Sequence, residues 1–216
     1  VTTFAGGTQG TADGTGTAAQ FNYPIGIAID ASGNLYVTDA SNHRIRKITP
    51  AGVVTTLAGS TNGYADGTGT AAQFSFPYGI VVDDSGNVFV GENCRIRKIT
   101  PAGVVTTFAG GIVGYADGTG TAAQFNNGIL GIAIDNSNNL YVTDSYNYRI
   151  SKITPAGVVS TYAGLGFSGT TDGDVSVANF DVLTGITINP SNNFLYVTDH
   201  FNDRIRIITP PAPATS

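Results

Sequence analysis

The chain holds one cysteine, two histidines and no methionine, and only 12% of its residues are charged. Each scarcity closes off a class of protein. With Cys94 alone there is no intrachain disulfide and no disulfide framework. His43 and His200 stand at non-equivalent places, and neither has another His or Cys beside it at metal-ligand spacing, so neither a metal nor a cofactor is expected. Average soluble proteins carry about a quarter charged residues. Here Thr, Gly, Ala, Asn and aromatic side chains must cover the surface instead, the profile of a compact all-β protein rather than a disordered chain. The net charge of −5 argues against nucleic acid and against an anionic membrane surface. No apolar run is long enough to span a bilayer, so no membrane insertion is expected, and no signal peptide is present. A chain that begins at Val1 without any methionine reads as a processed product or an excerpt, with any leader removed. Sparse Lys and Glu with abundant Thr point to an extracellular or periplasmic setting.

What the chain does have is repetition. Val-Thr-Thr-Phe-Ala-Gly opens it, and Phe4 finds counterparts in Leu57, Phe108 and Tyr162. A period of this length signals a solenoid, a propeller or an array. Within one copy, Gly26-Ile27-Ala28-Ile29 is a short buried strand, and Asp30 to Asn34 is a turn. Leu35-Tyr36-Val37-Thr38 is a second strand, rich in β-formers. Arg44-Ile45-Arg46-Lys47-Ile48 is a third, and Val53 to Leu57 a fourth, reached through Thr49-Pro50-Ala51-Gly52. Four such sheets cannot each bury two faces alone and must stack. The expected fold class is therefore all-β: a β-propeller of four blades, each with four antiparallel strands, spanning residues 1–209. The last copy stops after its third strand, and Val1 to Ala5 carries the sequence of a fourth. The expectation is a ring latched by the N-terminal strand, a monomer, with exchange of strands into an eight-blade dimer as the alternative. Residues 210–216 read as a Pro-rich tail or linker.

Asn42-His43-Arg44-Ile45, following Gly26-Ile27-Ala28-Ile29-Asp30 and Asn34-Leu35-Tyr36-Val37-Thr38-Asp39, resembles the NHL repeat. The later copies read Asn93-Cys94-Arg95-Ile96, Asn147-Tyr148-Arg149-Ile150 and Asn202-Asp203-Arg204-Ile205. The resemblance implies a propeller that serves mostly as a binding scaffold. Some members of the family bind RNA or proteins, and related propellers act as lyases or hydrolases with a metal in the channel. The chain departs from the family in its four copies, where six blades are usual, and in the length of each repeat.

The turns after strands one and three are tight and nearly alike in every copy, so their rim reads as structure. The opposite rim carries long excursions, such as Gly10 to Phe21. Thr17 with Gln20, Thr70 with Gln73 and Thr121 with Gln124 have capping-box spacing and predict a helical turn there. Asp13 and its copies read as Asx-turn residues rather than calcium ligands, since each loop offers too few carboxylates. Asp39, Glu92, Asp144 and Asp199 recur at the end of strand two. Each is expected to pair with the arginine that follows, Arg44, Arg95, Arg149 or Arg204, instead of forming a carboxylate ring around an ion. Cys94 shares a slot with His43, Tyr148 and Asp203 and reads as a structural thiol. No nucleophile elbow or isolated acid pair stands out, so no catalytic residue is assigned.

Variation between copies concentrates on the long-loop rim. Tyr23, His43, Phe76, Tyr78, Tyr146, Tyr148, His200 and Phe201 are the candidate ligand-binding residues, because aromatic side chains on otherwise polar loops anchor recognition surfaces. The expected function is a non-catalytic binding or scaffolding propeller for a protein or carbohydrate ligand. The alternatives are a metal-dependent hydrolase or lyase with its site at the channel mouth, and a structural subunit of a larger surface assembly.

Overall fold

The computed structural model describes residues 1–210; the Pro-rich tail expected from 210 onward lies, past Pro210, outside the described residues. The fold is all-β, a four-blade β-propeller arrangement of antiparallel sheets whose only helical pieces, among the described residues, are six 3₁₀ turns. None of these is long and apolar enough to cross a membrane.

The chain divides into two compact units, 1–108 and 109–216. In the first, one blade runs through Pro24–Ile29, Leu35–Asp39, Arg44–Ile48 and Val53–Ala58. The next runs through Ile80–Val82, Val88–Glu92, Arg95–Ile99 and Val104–Gly110, whose last residues pass into the second unit. In the second unit the third blade comprises Ile129–Ile134, Leu140–Asp144, Arg149–Ile153 and Val158–Ala163. The fourth comprises Leu183–Ile188, Leu195–Asp199 and Arg204–Ile208.

Each turn forms for a local reason. After strand one, the Asp30 carboxylate accepts the backbone N–H groups of Ser32 and Asn34, the Asn34 amide and the Tyr36 hydroxyl. After strand three, Gly52 N–H donates to the Thr49 carbonyl at 2.8 Å, and the Thr49 hydroxyl accepts Val53 N–H. Strand one is drawn close to its neighbour's backbone. A Cβ on Gly26 would fall 2.3 Å from the Tyr78 carbonyl oxygen, and one on Gly131 2.4 Å from that of Thr184, so only glycine fits.

Blades stack through one recurring contact. Tyr36, Ile45 and Ala58 of the first blade pack against Phe74, Ile80 and Val90 of the second. In the second unit Tyr141, Ile150 and Ala163 meet Phe180, Leu183 and Val197 in the same way. At about 1.5–3 kcal/mol for each fully buried large apolar side chain, this contact is what holds neighbouring sheets together.

Two expectations about strand number are corrected. Three of the sheets have five strands, because a Gly-Thr dipeptide (Gly14–Thr15, Gly67–Thr68, Gly118–Thr119) adds to the outer edge of strand four. The fourth sheet has three, and Val1 to Ala5 forms no strand. The N-terminal segment is instead tied to the first blade, through Gly6 N–H donating to the Gly16 carbonyl at 3.1 Å.

Candidate functional site

The recurring carboxylate at the end of strand two is fully buried in all four blades. In the first, Asp39 Oδ1 accepts Asn22 N–H at 2.7 Å, and Oδ2 accepts from the Asn42 amide and from Arg46 Nη1, both at 2.9 Å. Arg46 continues to the Gln20 and Ala12 carbonyls and to Asp13 at 2.8 Å, with its guanidinium 5.0 Å from the Phe21 ring centroid. One cation thus ties strands two and three to the excursion loop. The acid–arginine pair is as expected in kind, but its cation is corrected: Arg46, Arg97 and Arg206 are the partners, two residues beyond Arg44, Arg95 and Arg204. Residues two apart on a strand share one face, so both arginines of a run lie on the carboxylate's side of the sheet, and the second makes the ion pair.

The third blade departs from this rule. Ser151 stands in the slot of Arg46, and its hydroxyl is buried without a partner. Arg149 turns inward in its place, with Nε on Asp144 at 2.9 Å and Nη1 on Asp117 at 3.0 Å. The second blade departs in another way. Its turn between strands two and three is two residues shorter and lacks the amide supplied elsewhere by Asn42, Asn147 and Asn202. Glu92, one methylene longer than Asp, reaches Arg97 at 2.6 Å and Ser75 N–H. Burial pushes the Glu92 and Asp144 carboxyls above the usual carboxylate range, and the arginine beside each only partly offsets it.

Asp13, Asp66 and Asp117 are structural, but not as Asx turns. Each clamps the loop to strand four by accepting from a threonine, Thr56, Thr107 or Thr161, as well as from the buried arginine. The capping boxes also resolve differently. The predicted turns exist at Gly16–Ala18, Gly69–Ala71 and Gly120–Ala122, but without a side-chain cap. Gln20 and Gln73 reach back to the Thr8 and Thr61 hydroxyls.

The long-loop rim is knit from three segments of each blade. Asn42, Asn147 and Asn202 donate to the Gly10, Gly114 and Gly169 carbonyls of the excursions, and Ala40 N–H donates to the Tyr23 carbonyl. Several residues of this rim sit on strained backbone. Tyr23, Phe76 and Val182 hold φ of 58°, 47° and 46° just before strand one, and His43 and Tyr148 hold 55° and 53° before strand three. Left-handed backbone at bulky residues is uncommon and concentrates where recognition occurs.

In the first unit the His43 and Phe76 rings meet edge to face at 4.9 Å, with Tyr23 69% exposed. Burial, aided by Arg44, pulls the His43 pKa below its ordinary value. Tyr78 is half-buried, and its carbonyl accepts from Thr38. In the second unit His200 and Phe201 lie 5.0 Å apart, and Phe201 is 65% exposed. Tyr146 is exposed and packs on Gly128, where a Cβ would lie 2.8 Å from its ring; Tyr148 is half-buried. Cys94 is buried. Among the described residues no three His, Cys, Asp or Glu side chains gather at metal-binding distance.

Sequence reasoning missed the excursion tips. Ile112, Val113, Tyr115, Leu165 and Phe167 are all exposed in the second unit, with Tyr115 against Gly166. Tyr64 and Tyr115 stack on the arginines that open strand three, 4.1 Å from Arg95 and 4.0 Å from Arg149. The signal was Gly-Tyr-Ala-Asp replacing Gly-Thr-Ala-Asp at 63–66 and 114–117.

The NHL repeat family model matches residues 21–48 and 126–153. NHL repeat-containing protein 2 of Gallus gallus is 28% identical over 96% of this chain, which spans 34% of its length. Among solved structures, an auxiliary nutrient binding protein from Bacteroides thetaiotaomicron aligns with a TM-score of 0.69 at 21% identity, over 84% of this chain and 46% of its own. A virginiamycin B lyase from Staphylococcus aureus aligns at 0.55 and 19%, over 88% and 56%. The chain thus spans between 34% and 56% of these proteins, and at such identities the two structures share its fold.

Proposed function

The chain is an NHL-repeat β-propeller, and on that footing we propose that it is a non-catalytic binding module whose long-loop rim takes a protein partner. The observation that carries this reading is the apolar content of the rim. Ile112, Val113, Leu165 and Phe167 are exposed on two excursions of the second unit that approach each other where Tyr115 lies against Gly166, in a chain rich in Thr, Gly and Asn. Contiguous exposed aliphatic and aromatic side chains rimmed by polar groups mark protein–protein contacts more than sugar sites. Tyr23, Phe76, Tyr146 and Phe201 add rigid rings with few rotors to freeze on binding. The binding role named for the Bacteroides neighbour agrees in kind, and the scarcity of charge suits an extracellular or periplasmic setting.

The test is to pan the chain against a displayed random-peptide library and a glycan array, alongside the double variant Ile112→Ser/Phe167→Ser. Peptides enriched on the chain and lost on the variant are the expected result. Glycan binding without peptide enrichment would replace the partner class. Turnover of an ester, a lactone or a cyclic depsipeptide, dependent on added divalent cation, would overturn the non-catalytic reading.

A further inference from the structure

An asparagine followed by glycine is prone to lose its amide, because without a Cβ the glycine nitrogen can swing against the preceding side-chain carbonyl. The chain has two such pairs, Asn62–Gly63 in the first unit and Asn127–Gly128 in the second. Both asparagines are exposed. The fold treats the two pairs in opposite ways.

Gly63 is clamped. Its N–H donates to the Phe74 carbonyl at 3.1 Å, and Asn62 itself bridges to Phe74. The bond belongs to the repeat: Gly10, Gly114 and Gly169 donate in the same way to Phe21, Phe125 and Phe180, at 3.2, 3.0 and 3.1 Å. For the Gly63 nitrogen to turn on Asn62, a bond common to all four excursions must first break.

Asn127–Gly128 stands where the repeat is interrupted. Six positions lead from Phe125 to Gly131, where five lead from Phe21 to Gly26. In the first and fourth blades two successive N–H groups after strand two hold this segment. Ala40 and Ser41 donate to the Tyr23 and Asn22 carbonyls, and His200 and Phe201 to those of Val182 and Asp181. In the third blade the corresponding turn supplies one such bond, from Ser145 N–H to the Gly128 carbonyl at 3.2 Å. The flanking residues are fixed. Asn126 N–H donates to Asp144 at 2.9 Å and its amide to the Tyr146 carbonyl, while Ile129 opens strand one opposite Asp144. Between these anchors, the Asn127 side chain and the Gly128 N–H make no hydrogen bond among the described residues, and Gly128 holds φ of 134°.

We propose that Asn127 is a site of spontaneous deamidation, and that the fold shields Asn62 from the same reaction. The Gly128 nitrogen bonds to Asn127 Cγ and the Cγ–Nδ2 bond breaks. The departing nitrogen takes the glycine's amide proton and leaves as ammonia. Water then opens the five-membered imide. Opening at Cγ leaves aspartate; opening at the main-chain carbonyl leaves isoaspartate, whose backbone runs through Cβ and Cγ. Either product adds a negative charge next to Gly128, against which the Tyr146 ring packs. Isoaspartate also lengthens the backbone by a methylene between two anchored residues, and so moves the surface on which Tyr146 rests.

The test incubates the intact chain at mildly alkaline pH and follows conversion at each asparagine by peptide mass spectrometry, with aspartate and isoaspartate resolved as two species of equal mass. Asn127 should convert faster than Asn62 by roughly five- to tenfold, the worth of the one backbone hydrogen bond that Gly63 must give up. In denaturant the two rates should come together. Asn127→Gln, whose longer side chain closes a ring far more slowly, should abolish conversion of that segment in the folded chain and leave its melting unchanged. Asn62 converting as fast as Asn127 in the folded chain overturns the proposal. So does a difference that persists undiminished in denaturant, which would assign it to neighbouring residue types and not to the fold.

Discussion

On the tight-turn rim, Asp30, Asp83 and Asp135 hold their turns with the same three hydrogen bonds, each 2.8 or 2.9 Å long in these three copies, and in the fourth Asn189 keeps one of them, to Ser191 N–H. On the long-loop rim, the same blades present His43, Asn93, Tyr148 and Asp203 at the left-handed position before strand three, and Tyr23, Phe76, Gly128 and Val182 before strand one. The backbone is repeated on both rims, but the side chains are repeated on only one. A left-handed residue costs the same local strain whatever ring it carries, so the second rim can change what it displays without changing how it is held. Architecture is read where the copies agree, and recognition where they differ.

That contrast can be broken first at the buried carboxylate, which holds the long-loop rim to the blade. Asp39→Ala strands Arg46 in the interior and should cost about 3–5 kcal/mol, as removal of one member of a buried pair does; urea unfolding of the intact chain reads it. A loss under about 1 kcal/mol would mean that the knot does not hold the loop to the blade. Next in size, Arg149→Ser should destabilise by about 3 kcal/mol, because it strands Asp144 and Asp117 together. Adding Ser151→Arg should recover most of that loss, a coupling on the order of 2 kcal/mol in a double-mutant cycle. Additive losses would show that the two positions are not interchangeable.

A smaller effect sharpens the tight-turn side. Burial and the hydrogen bond to Asp30 push the Tyr36 hydroxyl up from its ordinary value of 10 to about 12. A raised pKa means that folding favours the protonated form. Its share of stability is full below pH about 10 and is lost as pH rises towards about 12. Tyr36→Phe should lower stability by about 1 kcal/mol at neutral pH and flatten the decline across that window, measured by melting temperature against pH. The smallest effect belongs to the long-loop rim. Ile112→Ser and Phe201→Ser should each stay within about 0.5 kcal/mol of the parent, since both side chains are already in water.

Much of the fold was legible because period, turn chemistry and strand composition all pointed one way. Asp30-x-x-Gly-Asn and Thr49-Pro-Ala-Gly named their turns outright. The arginine that enters the core was not legible. Arg44 and Arg46 are the same residue type two positions apart, and only the twist of the strand against the loop decides which pairs with Asp39. The fate of Val1 to Ala5 was hidden for a related reason. A strand-four sequence says what it can pair with, but not that the pairing forms. The apolar rim was obscured by its dispersal, two or three residues in each of two excursions a full repeat apart.

The displaced arginine of the third blade has a consequence for how nearly identical copies find their proper places. Repeats this alike invite one copy's strand to settle in another copy's sheet during folding, a characteristic failure of such chains. Strand Arg149–Ile153, set beside Leu35–Asp39, would bring its arginine to Asp39 from the wrong end and leave Ser151 where a guanidinium belongs. Glu92 with its shortened turn makes the second blade equally particular. The second and third blades therefore each carry a lock that a sibling's strand does not open, and the chain can be repetitive in outline while those strands remain individually addressed.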